Sequence, residues 1–87
     1  MIARKEDWLS ARVGDEIMMM NVERGEYLGM NDVGARIWEL IEMPSDIATI
    51  CATLVREFEV SPETCEIQVR SFVADMEKHG VVAVYAV

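Results

Sequence analysis

One stretch of this chain, Ser61-Pro62-Glu63-Thr64 through to Gly80, leaves little freedom in how it can fold. Serine caps the first free N–H groups of a helix, proline loses nothing at the first helical position, and an acidic residue in the first turn suits the helix dipole. Gly80 marks the stop. Between these signals Cys65, Val69, Phe72, Val73 and Met76 recur on one face at 100° per residue, with His79 at that face's edge, so the helix must bury that face. The chain has 87 residues, room for one module over residues 1–87 and no second core. A hydrophobic fraction of 52% with five Gly and two Pro is the composition of a folded globule rather than a disordered segment. A module this small buries only about 60–65% of its unfolded surface, so a bound partner contributes a useful share of its stability.

Two more helices are predicted ahead of that one. Asn31 or Asp32 caps a helix to about Glu42, with Val33, Ile37, Leu40 and Ile41 as its apolar stripe beside Trp38, and Pro44-Ser45 interrupts it. Ser45-Asp46 caps the next, in which Ile47, Ile50, Cys51, Leu54, Val55 and Phe58 keep helical spacing to Glu57 or Phe58. Before Asn31 the pattern changes to short β-favouring runs. Leu9, Ala11 and Val13 alternate with polar residues up to Gly14-Asp15; Ile17 to Met20 and Glu26 to Met30 follow as a second and third strand, with Gly25 suited to positive φ in the loop between them. Gly29 inside the third strand marks a bulge, a close approach of another backbone, or a packing accommodation. The uncharged tail Val81 to Val87 either pairs as a wing strand or packs as an extended tail. The expected fold is α+β, a three-stranded antiparallel sheet followed by three helices, in outline a winged helix-turn-helix.

Charge and motifs exclude several functions. Eight basic and sixteen acidic residues give a net charge of −8, a field that repels nucleic-acid backbones and anionic lipid. The longest uncharged runs, Ile47 to Val55 and Val81 to Val87, are far short of the roughly 18–20 residues of a membrane span, and an N-terminus that turns acidic at Glu6-Asp7 is no export signal, so a cytoplasmic location is expected. Cys51 and Cys65 form no C-x-x-C pair and read as buried free thiols. His79 is the single histidine and lies fourteen residues from Cys65 on the same predicted helix, about 21 Å away at 1.5 Å per residue, which rules out a shared metal or a Cys–His pair. No nucleotide or zinc-hydrolase motif occurs, and Glu57 with Glu59, or Glu63 with Glu66, read as solvated surface rather than a catalytic dyad. No catalytic residue, metal or cofactor is expected. Seven methionines serve as core filler or as an adaptable surface, and alternation within Met18-Met19-Met20 exposes at least one of them.

A surface argument remains. The third strand offers an open edge of N–H and C=O groups to an incoming peptide strand. On the third helix, opposite its core face, Ile67, Ser71 and Ala74 are apolar or small where charge would be ordinary, and Glu66, Gln68, Arg70 and Asp75 flank them.

The run Gly25-Glu26-Tyr27-Leu28-Gly29-Met30-Asn31, followed by Val33-Gly34-Ala35-Arg36-Ile37-Trp38-Glu39-Leu40, resembles the G-x-Y-x-x-L-N…G-x-x-I-W-x-L signature of PqqD-like proteins, with Met30 in place of the usual leucine. The likeness continues through Ser45-Asp46-Ile47, Glu57-Phe58-Glu59-Val60-Ser61, Val69 to Met76 and Gly80-Val81-Val82, nearly the whole chain. With Ser10-Ala11-Arg12 and Gly34-Ala35-Arg36 it is most similar to the stand-alone recognition proteins of lasso-peptide clusters. The resemblance implies a non-catalytic RiPP recognition element that holds the leader of a ribosomally made precursor peptide. The leader would add as a strand along Glu26, Tyr27, Leu28, Gly29 and Met30, beside a helical wall of Ile67, Gln68, Arg70, Ser71, Ala74 and Asp75. It also implies a leader peptidase and an ATP-dependent cyclase as partners, with ATP belonging to the cyclase. Two alternatives stand beside it: a chaperone of pyrroloquinoline quinone biosynthesis that presents its peptide to a radical SAM enzyme, and a winged-helix nucleic-acid-binding protein.

Overall fold

A computed structural model describes residues 1–86 of the chain. The elements run β1 (Ile2–Arg4), β2 (Leu9–Val13), β3 (Glu16–Asn21), β4 (Glu26–Met30), α1 (Asp32–Leu40), α2 (Ile47–Phe58), α3 (Pro62–Lys78) and β5 (Val82–Val84). The chain is thus α+β, with three helices and a three-stranded antiparallel sheet in the order β2-β3-β4. Gly14 (φ +64°) and Gly25 (φ +65°) make the two turns of that sheet, a backbone conformation in which a Cβ would be strained. Register pairs Met19 with Leu28 and Ile17 with Met30, and the alternation sends Ile17, Met19 and Met30 into the core, where Met19 is fully buried.

Each helix starts where its cap lies. The Asn31 side chain accepts the Gly34 N–H at 2.9 Å, Asp46 accepts that of Thr49 at 2.7 Å, and Ser61 accepts that of Thr64 at 3.3 Å. α1 stops at Leu40, two residues short of the expected Glu42. The chain must turn there so that Ser45 can exchange hydrogen bonds with Ile2, at 2.7 and 3.0 Å. α2 ends at Glu59 in the left-handed region (φ +51°). Ile37, Ile41, Ile50, Leu54, Cys65 and Val69 close the core under the sheet.

The tail is a strand, but it does not extend the three-stranded sheet. β5 pairs with β1, a strand not foreseen in the sequence, in a separate two-stranded ribbon (Ile2 with Val84, Ala3 with Ala83, Arg4 with Val82). Val87, the end of the expected tail strand, lies outside the described residues. Gly29 makes no bulge: it pairs in register with Met18, and a Cβ built on it would meet nothing within 4 Å. A second tie links the sheet to α3. Trp8 donates from Nε1 to the Gly80 carbonyl at 3.0 Å, and Arg24 in the β3–β4 turn lies 5.5 Å from the Trp8 ring and donates to the His79 carbonyl. This contact fixes one end of β4 relative to the C-terminal end of α3. No helix among the described residues is long and apolar enough to cross a membrane.

Candidate functional site

β4 is an edge strand, so one of its sides presents unpaired backbone groups. From the residue that follows it, Asn31, a groove of about 660 Å³ opens between the start of α1 and the face of α3. Val33, Gly34 and Ile37 of α1 line one side of it, and Ile67, Gln68, Ser71, Phe72 and Asp75 of α3 line the other. Phe58 and Val60 close the end towards α2. The groove is apolar apart from Asn31, Gln68, Ser71 and Asp75, and Asp75 is the one charged residue among those lining it. Ile67 stands 70% exposed on the groove's α3 side, a large apolar side chain left uncovered.

The side chains of β4 divide between two faces. Met30 is buried, Glu26 and Leu28 are half-buried on the helix side, and Tyr27 and Gly29 are exposed on the opposite side. Glu26 is engaged by Arg24, Nε to Oε1 3.1 Å. A strand added along β4 would turn alternate side chains towards the groove and towards the outer face of the sheet.

Of the six helix residues proposed from the sequence, Ile67, Gln68, Ser71 and Asp75 line this groove. Arg70 and Ala74 line a separate depression of about 440 Å³ with Ile2, Asp46, Ala48 and Val84, and Arg70 pairs with Glu66 on its own helix at 3.4 Å. Sequence reasoning did not assign Asn31, Val33, Gly34, Phe58, Val60 or Phe72 to a site. Phe72 counted as core by its spacing, and it is in fact half-buried, touching both core and groove. The signal that could have found it is Gly34, a glycine inside a helix. A Cβ there would lie 2.8 Å from Phe72 Cε1, so the missing side chain is what lets the ring lie against α1.

Several polar groups outside the groove are committed to structure. Arg36 holds Glu57 in a two-pronged pair at 2.8 and 3.0 Å, which keeps the Glu57 carboxyl below its usual range and leaves no carboxylate dyad with Glu59. Arg12 and Arg36 both reach Glu39, tying β2, α1 and α2 together. Burial, with Cys65 alongside, pushes the Cys51 thiol up to about 11, so it stays protonated and weakly nucleophilic at neutral pH. Among the described residues no three His, Cys, Asp or Glu side chains come together to hold a metal.

An open strand edge whose end meets an apolar groove defines the site class here: a small α+β module with an unpaired strand edge and an apolar cleft at its end. Residues 16–82 match the family of coenzyme PQQ synthesis protein D (PqqD), and the chain belongs to that family. Two solved structures share the fold. One, described as TbiB1 in complex with the TbiA(beta) leader peptide, superimposes with a TM-score of 0.87 at 27% identity, over 98% of this chain and 99% of that one. The other, lasso peptide synthetase B1 complexed with the leader peptide, gives 0.84 at 19% identity, over 95% and 98%. No curated protein sequence matches.

Proposed function

We propose that this protein binds the leader of a ribosomally synthesised precursor peptide by strand addition to β4 and presents it to separate processing enzymes, a leader peptidase and an ATP-dependent cyclase, in the cytoplasm. The observation that carries the reading is the meeting of two features at Asn31: the free edge of Glu26–Met30 ends there, and the apolar groove walled by Ile67, Gln68, Ser71 and Asp75 opens from it, although no residue of β4 itself lines the groove. Two structures that share nearly the whole fold are leader-peptide complexes, which supports it. Main-chain hydrogen bonds along β4 supply affinity that any extended peptide can use, and the groove selects apolar side chains at alternate positions. Ordering a flexible leader consumes part of that energy, so the expected Kd lies between about micromolar and about nanomolar. The protein itself does no chemistry in this reading.

The winged-helix outline belongs to the same reading and does not lead to DNA. α3 carries Arg70 and Lys78 against Glu63, Glu66, Asp75 and Glu77, a face that phosphate would repel. A second reading, a peptide chaperone serving a radical SAM enzyme of quinone biosynthesis, is favoured by the description of the family itself. Which enzyme turns over the complex separates the two.

The test is a fluorescence-polarisation titration with a labelled leader from the neighbouring precursor gene, beside the same peptide N-methylated at alternate amides. Tight binding that collapses for one methylation register is expected, because only alternate N–H groups of an added strand face β4. Equal binding of both registers would exclude strand addition, and no binding at all would exclude leader recognition by this protein alone.

A further inference from the structure

An antiparallel sheet with one face on the core ordinarily turns a polar face to water. This one does not. On the face away from the helices, register places Leu9, Met20 and Tyr27 in one row and Ala11, Met18 and Gly29 in the next, with Val13 beyond them opposite Glu16. Leu9 is 58% exposed, Val13 67%, Met18 40% and Tyr27 69%, and neither row contains a charged residue. A contiguous apolar face on a small acidic protein costs solubility and calls for an occupant. Exposed methionine suits a surface that must adapt to what covers it.

The rim says what kind of occupant. Asp15 and Glu16 stand at one end of the face and Glu23 at the other, all exposed. The neighbouring cations are engaged elsewhere: Arg12 at the first end donates to the Gly14 carbonyl and pairs with Glu39 of α1, and Arg24 at the second pairs with Glu26 and donates to the His79 carbonyl beside Trp8. A second copy of this chain would bring the same carboxylates to the same rim and another net charge of −8. An apolar patch ringed by lysine and arginine is the complementary surface. The face also continues into the edge of β4, so the outward side chains of a strand added there would lengthen it by one row.

We infer that the outer face of the β2-β3-β4 sheet is the docking surface for the leader peptidase, which meets it with an apolar, basic-rimmed patch and touches the added leader strand at the same time. This rests on the leader-binding reading, and it places the enzyme on the side of the sheet opposite the groove.

The experiment uses the full chain carrying Leu9→Lys and Met18→Lys, both on exposed positions away from the β4 edge. Leader affinity is measured by fluorescence polarisation, and cleavage of the full precursor by the leader peptidase encoded beside it is measured with this protein limiting. Leader affinity within about twofold of wild type with cleavage reduced at least about tenfold is expected, the fold-change of a lost apolar contact between proteins. Leu9→Ile with Met18→Leu should restore cleavage. Undiminished cleavage overturns the inference, as does a parallel loss of leader affinity, which would make the face part of the leader site. Sedimentation of wild type as a dimer that the lysine variant breaks overturns it in favour of a second copy. Failure of wild type to bind leader would instead remove the reading beneath it. Val13→Lys repeats the test should the double variant lose its circular-dichroism melt.

Discussion

Gly34 is where a single missing methyl group shapes the groove. A Cβ at that position would stand 2.8 Å from Phe72 Cε1, 3.3 Å from Phe72 Cζ and 3.4 Å from Asn31 Oδ1, the atom that caps α1. Gly34→Ala therefore sets two effects against each other. Alanine favours a helix interior by about 1 kcal/mol, while forcing extra volume against a packed ring costs about 1–3 kcal/mol. The net expectation is a loss of about 1 kcal/mol in a urea melt, with the Phe72 ring displaced and leader affinity lowered by roughly tenfold. Gly34→Ala combined with Phe72→Leu should recover the lost stability, because the shorter side chain removes the clash; additive losses in the double variant would show that the ring is not the obstacle. Only half of this was readable from the sequence: a glycine inside a helical run signals a close approach, but its partner Phe72 is one apolar residue among several at core spacing. The contact joins residues 38 positions apart, and no local pattern encodes it.

At the scale of elements, what the sequence disclosed and what it hid divide along the range of the interaction. Caps act within three residues, so Asn31, Asp46 and Ser61 were identifiable and fix the three helix starts. The hairpin strands carry their own alternation and turn glycines. By contrast β1 has three residues, no alternation of its own and Lys5-Glu6-Asp7 behind it; only β5, some 80 residues later, gives it a ladder. The helical wall was half legible for a related reason. Periodicity places Arg70 and Ala74 on the exposed side of α3, but which neighbour each of them faces depends on where β1 and β5 lie. The caps also make a pH-dependent prediction. Hydrogen bonds from the Thr49 hydroxyl and its N–H hold the Asp46 carboxyl below its ordinary value of 3.8. A carboxyl depressed in the folded state stabilises above its unfolded pKa, and that contribution disappears as pH falls through the folded value. Asp46→Asn retains an acceptor for the cap but no titrating group. The drop in Tm between about pH 6 and about pH 2.5 should therefore be smaller for Asp46→Asn than for wild type. Equal drops in thermal melts would show that the cap does not contribute to acid sensitivity.

For the whole molecule, charge decides how recognition should respond to salt. The net charge is −8, and the groove adds one carboxylate, Asp75, with no basic residue among those lining it. A leader carrying a basic residue near that position would gain from both: the general field hastens encounter, and Asp75 acts on the bound state. Neither gain is large, since an exposed ion pair contributes about 0–1 kcal/mol and the Debye length is about 10 Å at 0.1 M salt. The expected weakening of leader affinity between about 50 mM and about 500 mM NaCl is therefore a few-fold, and Asp75→Asn should lose about the same factor at low salt while flattening the salt response. The backbone ladder along β4 and the apolar wall at Ile67 do not depend on ionic strength, so most of the affinity should persist at high salt. A response that stays steep in Asp75→Asn would assign the electrostatic share to the field of the whole chain. A flat response in wild type would leave selection of the leader to main-chain pairing and apolar fit alone.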